Sequence, residues 1–305
     1  MTLTELRYII AVAQHKHFGR AAAACFVSQP TLSVAIKKLE GELDISLFER
    51  ANHEVRITDI GEKIIIQAKR ALEEVEQIKQ IASQGKDQLH GTLRVGAIYT
   101  IGPYLYPELI PQLKELAPDM PLVIEENFTH VLKEKLQNGE LDIIIIALPF
   151  AGHGLLTSSI YDEPFVALLP ASHPLNMKQE LQLADMQSDE MILLGHGHCF
   201  RDQVIDACPS CANTNNINTQ SILQGSSLET LRHMVASGMG ITMLPCTAAG
   251  ADRYSQRLLK IRRFATHAPQ RTVAIAWRSS FTRPEVIDAI RNAIKQCAFS
   301  CVHMT

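Results

Sequence analysis

The fold is decided by residues 18–39, FGRAAAACFVSQPTLSVAIKKL, which have the layout of a helix-turn-helix. The alanine-rich segment Arg20–Phe26 predicts one helix, and Gln29–Glu42 predicts a second helix with Ser28 as its N-cap. Ala22 occupies the predicted crossing of the two helices, where only a small side chain fits. The stretch therefore predicts a small helical domain near the start of the chain.

The first turn of the second helix would expose side chains that can reach base edges in a DNA major groove. Lys37 and Lys38 follow on the same helix and can meet phosphates, while Arg50 and Arg56 flank a possible wing. An ordinary polar face on a three-helix domain would give a similar pattern. The base-reading side chains of the DNA interpretation are Gln29, Pro30, Thr31 and Ser33.

Charge does not identify the partner. The chain has a formal net charge of −3, and residues 1–60 carry seven basic side chains against seven acidic ones. Because a basic surface is the usual electrostatic sign of a nucleic-acid partner, shape has to carry the DNA interpretation here.

Length and composition predict two or three globular domains, since the chain has 305 residues, 46% hydrophobic and 20% charged. The N-terminus lacks the apolar run of a secretory signal, and no stretch approaches the roughly 20 apolar residues of a membrane span. Seven cysteines, an odd number, argue against a secreted disulfide framework. We expect a cytoplasmic protein without a membrane partner, whose cysteines are core residues, metal ligands or reactive thiols.

A regular repeat of small and apolar residues follows the helix-turn-helix. Its steps of four and three residues are typical of a helix–helix seam, and its alanines imply a close approach. We expect a dimerisation helix here, and a helix that packs on its own domain is the alternative. The repeat consists of Ile64, Ala68, Ala71, Val75, Ile78, Ala82 and Gly85.

The sequence pattern changes after residue 88, from helical segments to alternating strands and helices. Leu93–Ala97, Leu122–Glu126 and Leu141–Ala147 predict strands that alternate with helices, which is the rhythm of a mostly parallel sheet. A second series follows, with strands at Phe165–Leu169 and Ile241–Leu244 among its elements. The sequence therefore predicts an α/β fold in which two α/β units flank a crevice for a small ligand.

One cysteine has surroundings that favour reactivity. In GHGHCFRD, residues 195–202, Cys199 precedes a predicted helix, so the helix dipole, His198 and Arg201 would favour thiolate over thiol. A thiolate attacks peroxide oxygen and gives a sulfenic acid, which a second cysteine such as Cys208 can condense with. The two are nine residues apart, roughly 13 Å of helix rise, whereas a disulfide needs Cα atoms about 4.4–6.8 Å apart. A disulfide between them would therefore remodel the segment if it is helical.

Chemistry alone leaves other interpretations open. Cys199 and Cys208 could be inert buried thiols, or the pair Cys208 and Cys211 could be a separate redox site. Cys25 and Cys246 are expected in cores, and Cys297 and Cys301 at packing or surface positions rather than as metal ligands. A zinc site is a further alternative, with ligands drawn from His196, His198, Cys199, Cys208 and Cys211.

Residues 18–22, 27–33 and 47–50 resemble the LysR-type transcriptional regulators. The similarity extends over the whole chain and implies a winged helix-turn-helix, a linker helix and a periplasmic-binding-protein-like effector domain. It also implies homodimers or homotetramers on partly palindromic operators, with RNA polymerase as a further partner. The implied domains are residues 1–58, 59–88 and 89–305, the last with subdomain I at about 89–161 and 268–305 and subdomain II at about 162–267.

A subset of motifs is similar to the hydrogen-peroxide-sensing members of that family: residues 197–203 with Cys208, and also residues 100–104, 129–130, 226–232 and 240–242. The resemblance implies a peroxidatic Cys199 and a resolving Cys208, with Cys211 as a second possible resolving thiol. The surroundings that it implies for the thiolate and the peroxide are Thr100, Thr129, His198, Arg201, Asp202 and Arg271.

We therefore expect a peroxide-responsive regulator, not an enzyme, that needs no cofactor or metal. Two alternatives are a regulator that responds to a small molecule in the crevice and a thiol peroxidase or zinc enzyme. The helix-turn-helix argues against the enzyme alternative.

Overall fold

The computed structural model describes residues 1–51, 54–83, 88–187, 191–209, 223–249, 257–265 and 268–305. Contacts divide the chain into two units, Met1–Lys86 and Asp87–Thr305. The first unit holds four helices and a two-stranded hairpin among the described residues. They are α1 (Leu3–His15), α2 (Phe18–Ala24), α3 (Gln29–Leu43), β1 (Phe48–Ala51), β2 (Glu54–Ile57) and α4 (Asp59–Ser83).

Local capping explains where these helices begin. The hydroxyl of Ser28 accepts a hydrogen bond from the backbone N–H of Thr31, so Ser28 is the predicted N-cap of α3. The hydroxyl of Thr58 accepts from the N–H of Gly61 at 2.9 Å and so caps the start of α4. The predicted helix-turn-helix is thereby confirmed as local structure.

The first unit buries one core, in which Ile9, Leu32 and Leu39 have no exposed surface. The helix α4 contributes Ile65 and Ala68 to this core, while Ile78 farther along is 65% exposed. The start of the predicted seam therefore packs on its own domain, as the alternative interpretation proposed. The later part presents Ile78 to solvent.

The second unit contains the α/β fold. Among its described residues, the helices are α5 (Gly102–Leu116), α6 (Thr129–Gln137), α7 (Cys199–Ala207), α8 (Leu228–Ala236), α9 (Cys246–Ala249) and α10 (Pro284–Gln296), with 3₁₀ turns at Pro174–Met177 and Leu183–Met186. Its strands are β3 (Leu93–Ile98), β4 (Leu122–Asn127), β5 (Ile143–Ala147), β6 (Leu155–Pro170), β7 (Glu180–Leu181), β8 (Leu193–Leu194), β9 (Gln224–Gly225), β10 (Thr242–Pro245), β11 (Leu259–Phe264), β12 (Gln270–Arg278) and β13 (His303–Met304).

The main sheet is mixed. Strand β3 pairs in parallel with β4 and β5, as the alternating pattern predicted. The expectation of a mostly parallel sheet is wrong beyond this region, because β12 pairs antiparallel with both β5 and β6. Strand β6 also pairs antiparallel with β10 and β11.

The described residues of this unit form two hydrophobic cores. One lies around β3, β5 and α10, and the other contains Phe165, Phe200 and Val204. The long strand β6 contributes to both, with Tyr161 in the first core and Phe165 in the second. Two cores joined by shared strands agree with the predicted pair of α/β subdomains.

Candidate functional site

The helix α3 presents the predicted base-reading side chains to solvent. Gln29, Pro30 and Thr31 are exposed, and Ser33 is half-buried. Lys37 is exposed on the same helix and lines a groove of about 360 Å³ together with Ser33. These positions give α3 the accessible polar face that a major-groove reader needs.

The wing is attached to the end of this helix. A carboxylate oxygen of Glu40 accepts hydrogen bonds from the backbone N–H groups of Leu47 at 2.7 Å and Phe48 at 3.3 Å. Arg50 pairs with Val55 across the hairpin, and its side chain lies outside the described part of the structure. Lys38 is exposed and lies 3.5 Å from the carboxylate of Glu5.

A small cleft in the second unit contains the predicted reactive thiol. Cys199 is the first residue of α7, and its thiol is free and half-buried. The free volume of the cleft is about 10 Å³, roughly the space that one water-sized molecule needs. Its lining residues are Ile98, Tyr99, Thr100, Asn127, Phe128, Thr129, Gly197, His198 and Cys199.

Strand ends explain why these residues meet. Ile98 and Asn127 end the parallel strands β3 and β4, and the carboxyl ends of neighbouring parallel strands share one edge of a sheet. The residues that follow, up to Thr100 and Thr129, therefore lie beside the start of α7. The structure thus brings Thr100, Thr129, His198 and Cys199 together, as the resemblance implied.

Arg271 supports the cleft through Thr100. Its Nη1 donates to the hydroxyl of Thr100 at 2.8 Å, and its Nη2 donates to the Thr100 carbonyl at 2.9 Å. Its Nε donates to the carboxylate of Glu163 at 2.7 Å, and neither side chain of this ion pair is exposed. A buried ion pair that is fully hydrogen-bonded holds both partners in one orientation.

The hydroxyl of Thr129 has no hydrogen-bond partner in the described structure, although the oxygen is buried. Thr129 is the first residue of α6, and the N-cap is Phe128, which has no side-chain capping bond. Thr129 therefore does not cap its own helix. A buried hydroxyl costs free energy when it is unpaired, so this oxygen is suited to bind a small polar ligand in the cleft.

Aromatic rings and His198 form one wall. The imidazole of His198 lies edge-on to Phe128, with ring centroids 4.9 Å apart, and its Nε2 donates to the carbonyl of Ser226 at 3.1 Å. Burial lowers the pKa of His198, and this hydrogen bond opposes the effect only in part. The imidazole is therefore mostly uncharged near neutral pH and cannot stabilise the thiolate as a full cation.

The backbone conformation before Cys199 requires a glycine at position 197. Its φ of +95° lies in the left-handed region, and a Cβ there would lie 3.2 Å from the Phe128 ring. Glycine thus lets the chain pass close to Phe128 and place Cys199 at the helix start.

Arg201 and Asp202, which were both predicted to lie near the thiolate, differ in burial. Arg201 is buried and donates to the carbonyl of Leu194 at 2.8 Å, so it joins α7 to β8. Asp202 is exposed on the first turn of α7.

Cys208 lies at the other end of α7. It is the C-cap, it is 3% exposed and it belongs to the second core, whereas Cys199 packs against the first core. The segment between them is helical, as the spacing argument assumed. Cys208 is itself disulfide-bonded in this structure, and Cys211 lies outside the described residues.

Cys246 lies in the second core and Cys301 packs against it, as expected. The sequence did not predict that these two cysteines form a disulfide, with Cα atoms 6.2 Å apart. Their separation of 55 residues explains why spacing did not reveal the pair. Cys297 is a buried free thiol whose pKa burial raises to about 11, and Cys25 is also free.

The zinc alternative gains no support from the described residues, among which no group of three or more histidine, cysteine or acidic side chains could hold a metal. His196 is exposed, and His198 is bonded to Ser226. Within the same described ranges, no helix is long and apolar enough to cross a membrane.

Two family models match most of the chain. The bacterial regulatory helix-turn-helix family of lysR type matches residues 3–62, and the LysR substrate binding domain matches residues 86–298. Among curated proteins, the chain is 36% identical over 278 residues to the DNA-binding transcriptional dual regulator OxyR of Escherichia coli K12, covering 91% of this chain and 90% of that protein.

Solved structures give the same family. A full-length OxyR variant from Pseudomonas aeruginosa has 52% identity and a TM-score of 0.82, covering 98% of this chain and 96% of that one. A hydrogen-peroxide-bound OxyR mutant from Corynebacterium glutamicum has 31% identity and a TM-score of 0.65, covering 97% and 92%. Both similarities span the two units of the chain.

Proposed function

This chain belongs to the LysR family of bacterial helix-turn-helix regulators, and from that premise we propose that it is a hydrogen-peroxide-sensing transcription activator. The observation that carries the proposal is the free thiol of Cys199 at a helix start, in a cleft of about 10 Å³ beside an unpartnered buried hydroxyl of Thr129. A peroxide molecule is polar and rich in hydrogen-bonding groups, which suits the hydroxyl groups that line that cleft.

In the first chemical step, the Cys199 thiolate attacks one peroxide oxygen. An S–O bond forms as the O–O bond breaks, and the departing hydroxide takes a proton to leave as water. Thr129 and Thr100 donate hydrogen bonds to the peroxide oxygens, and Arg271 orients Thr100. Hydrogen bonds that strengthen as charge develops on the leaving oxygen lower the barrier.

In the second step, the thiolate of Cys208 attacks the sulfur of the Cys199 sulfenic acid. The S–S bond forms, the S–O bond breaks, and a second water leaves. The two thiols are oxidised together while one peroxide is reduced to two waters. Cys208 enters this step as a thiol, so a thiol reductant must first reduce the disulfide that it forms in this structure, and two thiols of the reductant become one disulfide.

The conformational switch follows from helix geometry. Cys199 and Cys208 lie at opposite ends of α7, about 13 Å apart along the axis, far beyond disulfide distance. Forming the bond therefore unwinds α7 and releases Phe200 and Val204 from the second core, where both are buried. A chemical event at one thiol becomes a packing change over the whole segment.

The rest of the proposal assigns roles along the chain. Residues 1–58 bind a partly palindromic promoter site, residues 59–88 form the dimerisation helix, and residues 89–305 sense the signal. Homodimers assemble into tetramers, and the oxidised form contacts RNA polymerase. The protein acts in the cytoplasm, where the promoter lies, and the single oxidation of Cys199 serves signalling and not repeated turnover.

The decisive experiment combines disulfide mapping with DNA footprinting. In protein that has first been reduced with a dithiol and freed of it, mild hydrogen peroxide should produce a Cys199–Cys208 peptide and a changed footprint on promoter DNA. Cys199→Ser should abolish both changes, while Cys25→Ser should leave them intact. A footprint that still responds to peroxide in Cys199→Ser would contradict the mechanism and favour a small-molecule effector. A Cys199–Cys211 peptide would reassign the resolving thiol only.

A further inference from the structure

A continuous set of contacts leads from the Cys246–Cys301 disulfide to the cleft. Thr247, which follows Cys246 directly, donates to one carboxylate oxygen of Glu163 through its backbone N–H at 3.1 Å and also through its hydroxyl. The other oxygen of Glu163 accepts from Arg271, and Arg271 donates to Thr100 in the cleft wall. Glu163 is thus shared between the disulfide segment and the peroxide site.

The segment that follows Cys301 contacts strand β6 next to Glu163. Two residues after Cys301, β13 pairs with β6, and His303 lies opposite Asp162, the neighbour of Glu163. The backbone N–H of Thr305 donates to the carbonyl of Ile160 at 3.0 Å. The disulfide therefore ties together two segments that both contact β6, one at Glu163 and the other at residues 160–162.

The disulfide is also placed for exchange with solution. Cys246 is 7% exposed, whereas Cys301 is half-buried near the end of the chain. A small thiol can therefore approach the Cys301 end, and Cys246 is the leaving thiolate. A disulfide that a thiol can reach from one end is open to exchange, and a bond closed over 55 residues loses a large constraint when it opens.

We propose that Cys246 and Cys301 form a second thiol–disulfide site, which sets the position of Arg271 through Thr247 and Glu163 and so tunes the reactivity of Cys199. This inference rests on the proposed function of Cys199. The site opens when two thiols of a glutathione-type reductant become one disulfide and the Cys246–Cys301 bond becomes two thiols. It closes when hydrogen peroxide oxidises one thiol to a sulfenic acid and the other displaces water from it.

The test uses the full-length protein equilibrated in graded mixtures of reduced and oxidised glutathione, then alkylated and mapped by mass spectrometry. We expect a reversible transition of the peptide pair that contains Cys246 and Cys301. Two thiols that remain fully alkylated in every mixture would overturn the proposal. So would a bond that no concentration of glutathione opens in the folded protein.

Coupling to the cleft is tested with Cys246→Ser/Cys301→Ser against the matched control Cys25→Ser/Cys297→Ser, whose two thiols lie in no disulfide. The readouts are the rates at which Cys199 reacts with iodoacetamide and with hydrogen peroxide. We expect the reaction to be at least threefold slower in Cys246→Ser/Cys301→Ser, to be slower also in Thr247→Val, and to be unchanged in the control. Equal iodoacetamide rates in all of them would overturn the coupling.

The two proposals fail differently. If Cys199 does not react with peroxide in any protein, the proposed function is wrong, while the glutathione mapping and the iodoacetamide rates still decide the second site. Glu163→Gln completes a double-mutant cycle. Combined with Cys246→Ser/Cys301→Ser, it should slow the reaction of Cys199 little more than either change alone, because both act on one set of contacts. Additive losses would show independent effects and contradict the relay.

Discussion

Arg271 donates a hydrogen bond to the side-chain hydroxyl of Thr100 at 2.8 Å, so the oxygen of Thr100 is an acceptor in this contact. An arginine side chain has donors and no acceptor, and the hydroxyl proton of Thr100 is therefore left for another partner. Since Thr100 lines the cleft that contains Cys199, Arg271 turns this threonine into a donor toward a molecule bound there.

Thr100→Val should slow the oxidation of Cys199 by hydrogen peroxide by about tenfold, because losing one hydrogen bond to a developing charge costs about 1.5 kcal/mol. Thr100→Ser keeps the hydroxyl and should stay within about threefold of the original rate. The measurement is the second-order rate constant from trapping of the sulfenic acid. Equal rates for the valine and serine variants would exclude a donor role for Thr100.

Arg271→Ala should destabilise the second unit by about 3–5 kcal/mol, because it leaves the carboxylate of Glu163 buried without its charge partner. Urea unfolding followed by circular dichroism measures the loss. The double variant Arg271→Ala/Glu163→Ala removes both charges and should recover part of it. If Glu163→Ala lowers the stability of the Arg271→Ala variant as much as an independent buried substitution would, the two residues do not act as a pair.

Helices with strong local signals could be predicted from the sequence. Apolar residues at helical spacing predict the helix Leu228–Ala236 with both of its ends, and Ser227 does cap it by accepting from the N–H of Thr230. The sequence also predicts the helix Gly102–Leu116. Both are amphipathic elements whose signals lie within a few residues.

The long strand Leu155–Pro170 was expected only at Phe165–Leu169, where its residues are continuously apolar. Its first half includes exposed and polar positions and is held by pairing with β12, more than a hundred residues away. A local sequence pattern cannot indicate pairing with a strand so far away in the chain. Tertiary pairing therefore extended the strand beyond what the sequence could indicate.

The residues of the candidate site also differ in how far the sequence could predict them. Cys199 and the two threonines came from motifs and the family resemblance, and the structure brings them into one cleft. Glu163 was missed, because an isolated acidic residue gives no sign that it will be fully buried against Arg271, 108 positions away. The disulfide of Cys246 was missed for the same reason of distance.

Lys37→Ala should weaken DNA binding by a similar factor on different sequences, because an exposed lysine on α3 is suited to contact phosphate and not base edges. The slope of log affinity against log salt should fall by about one for each lysine lost. Gln29→Ala, by contrast, should change sequence preference. The measurement is fluorescence anisotropy at several salt concentrations. A Lys37 variant with an unchanged salt slope would remove this residue from the DNA interface.

His198 should make stability depend on pH. Its pKa in the folded protein lies below the ordinary value of 6.5, mainly because of burial, so the unfolded chain binds the proton more readily. Stability is therefore fully present above the ordinary value and falls as the pH drops below it. The urea midpoint of the original protein should decrease more between pH 7 and pH 5 than that of His198→Gln. A substitution at the exposed His153 serves as the control for the loss of a histidine elsewhere in the second unit.

Gly197→Ala should destabilise the second unit and displace the start of α7. The substitution puts a side chain at φ +95° and places its Cβ 3.2 Å from the Phe128 ring, so backbone strain and crowding act together. We expect a loss of about 1–3 kcal/mol in urea unfolding and slower alkylation of Cys199. Gly238→Ala is the matched control, because Gly238 also has a positive φ of +75° but no atom within 4 Å of a Cβ. It should lose stability from strain alone and keep the reactivity of Cys199. If both variants alkylate Cys199 at the original rate, the contact of Gly197 with Phe128 does not position the thiol.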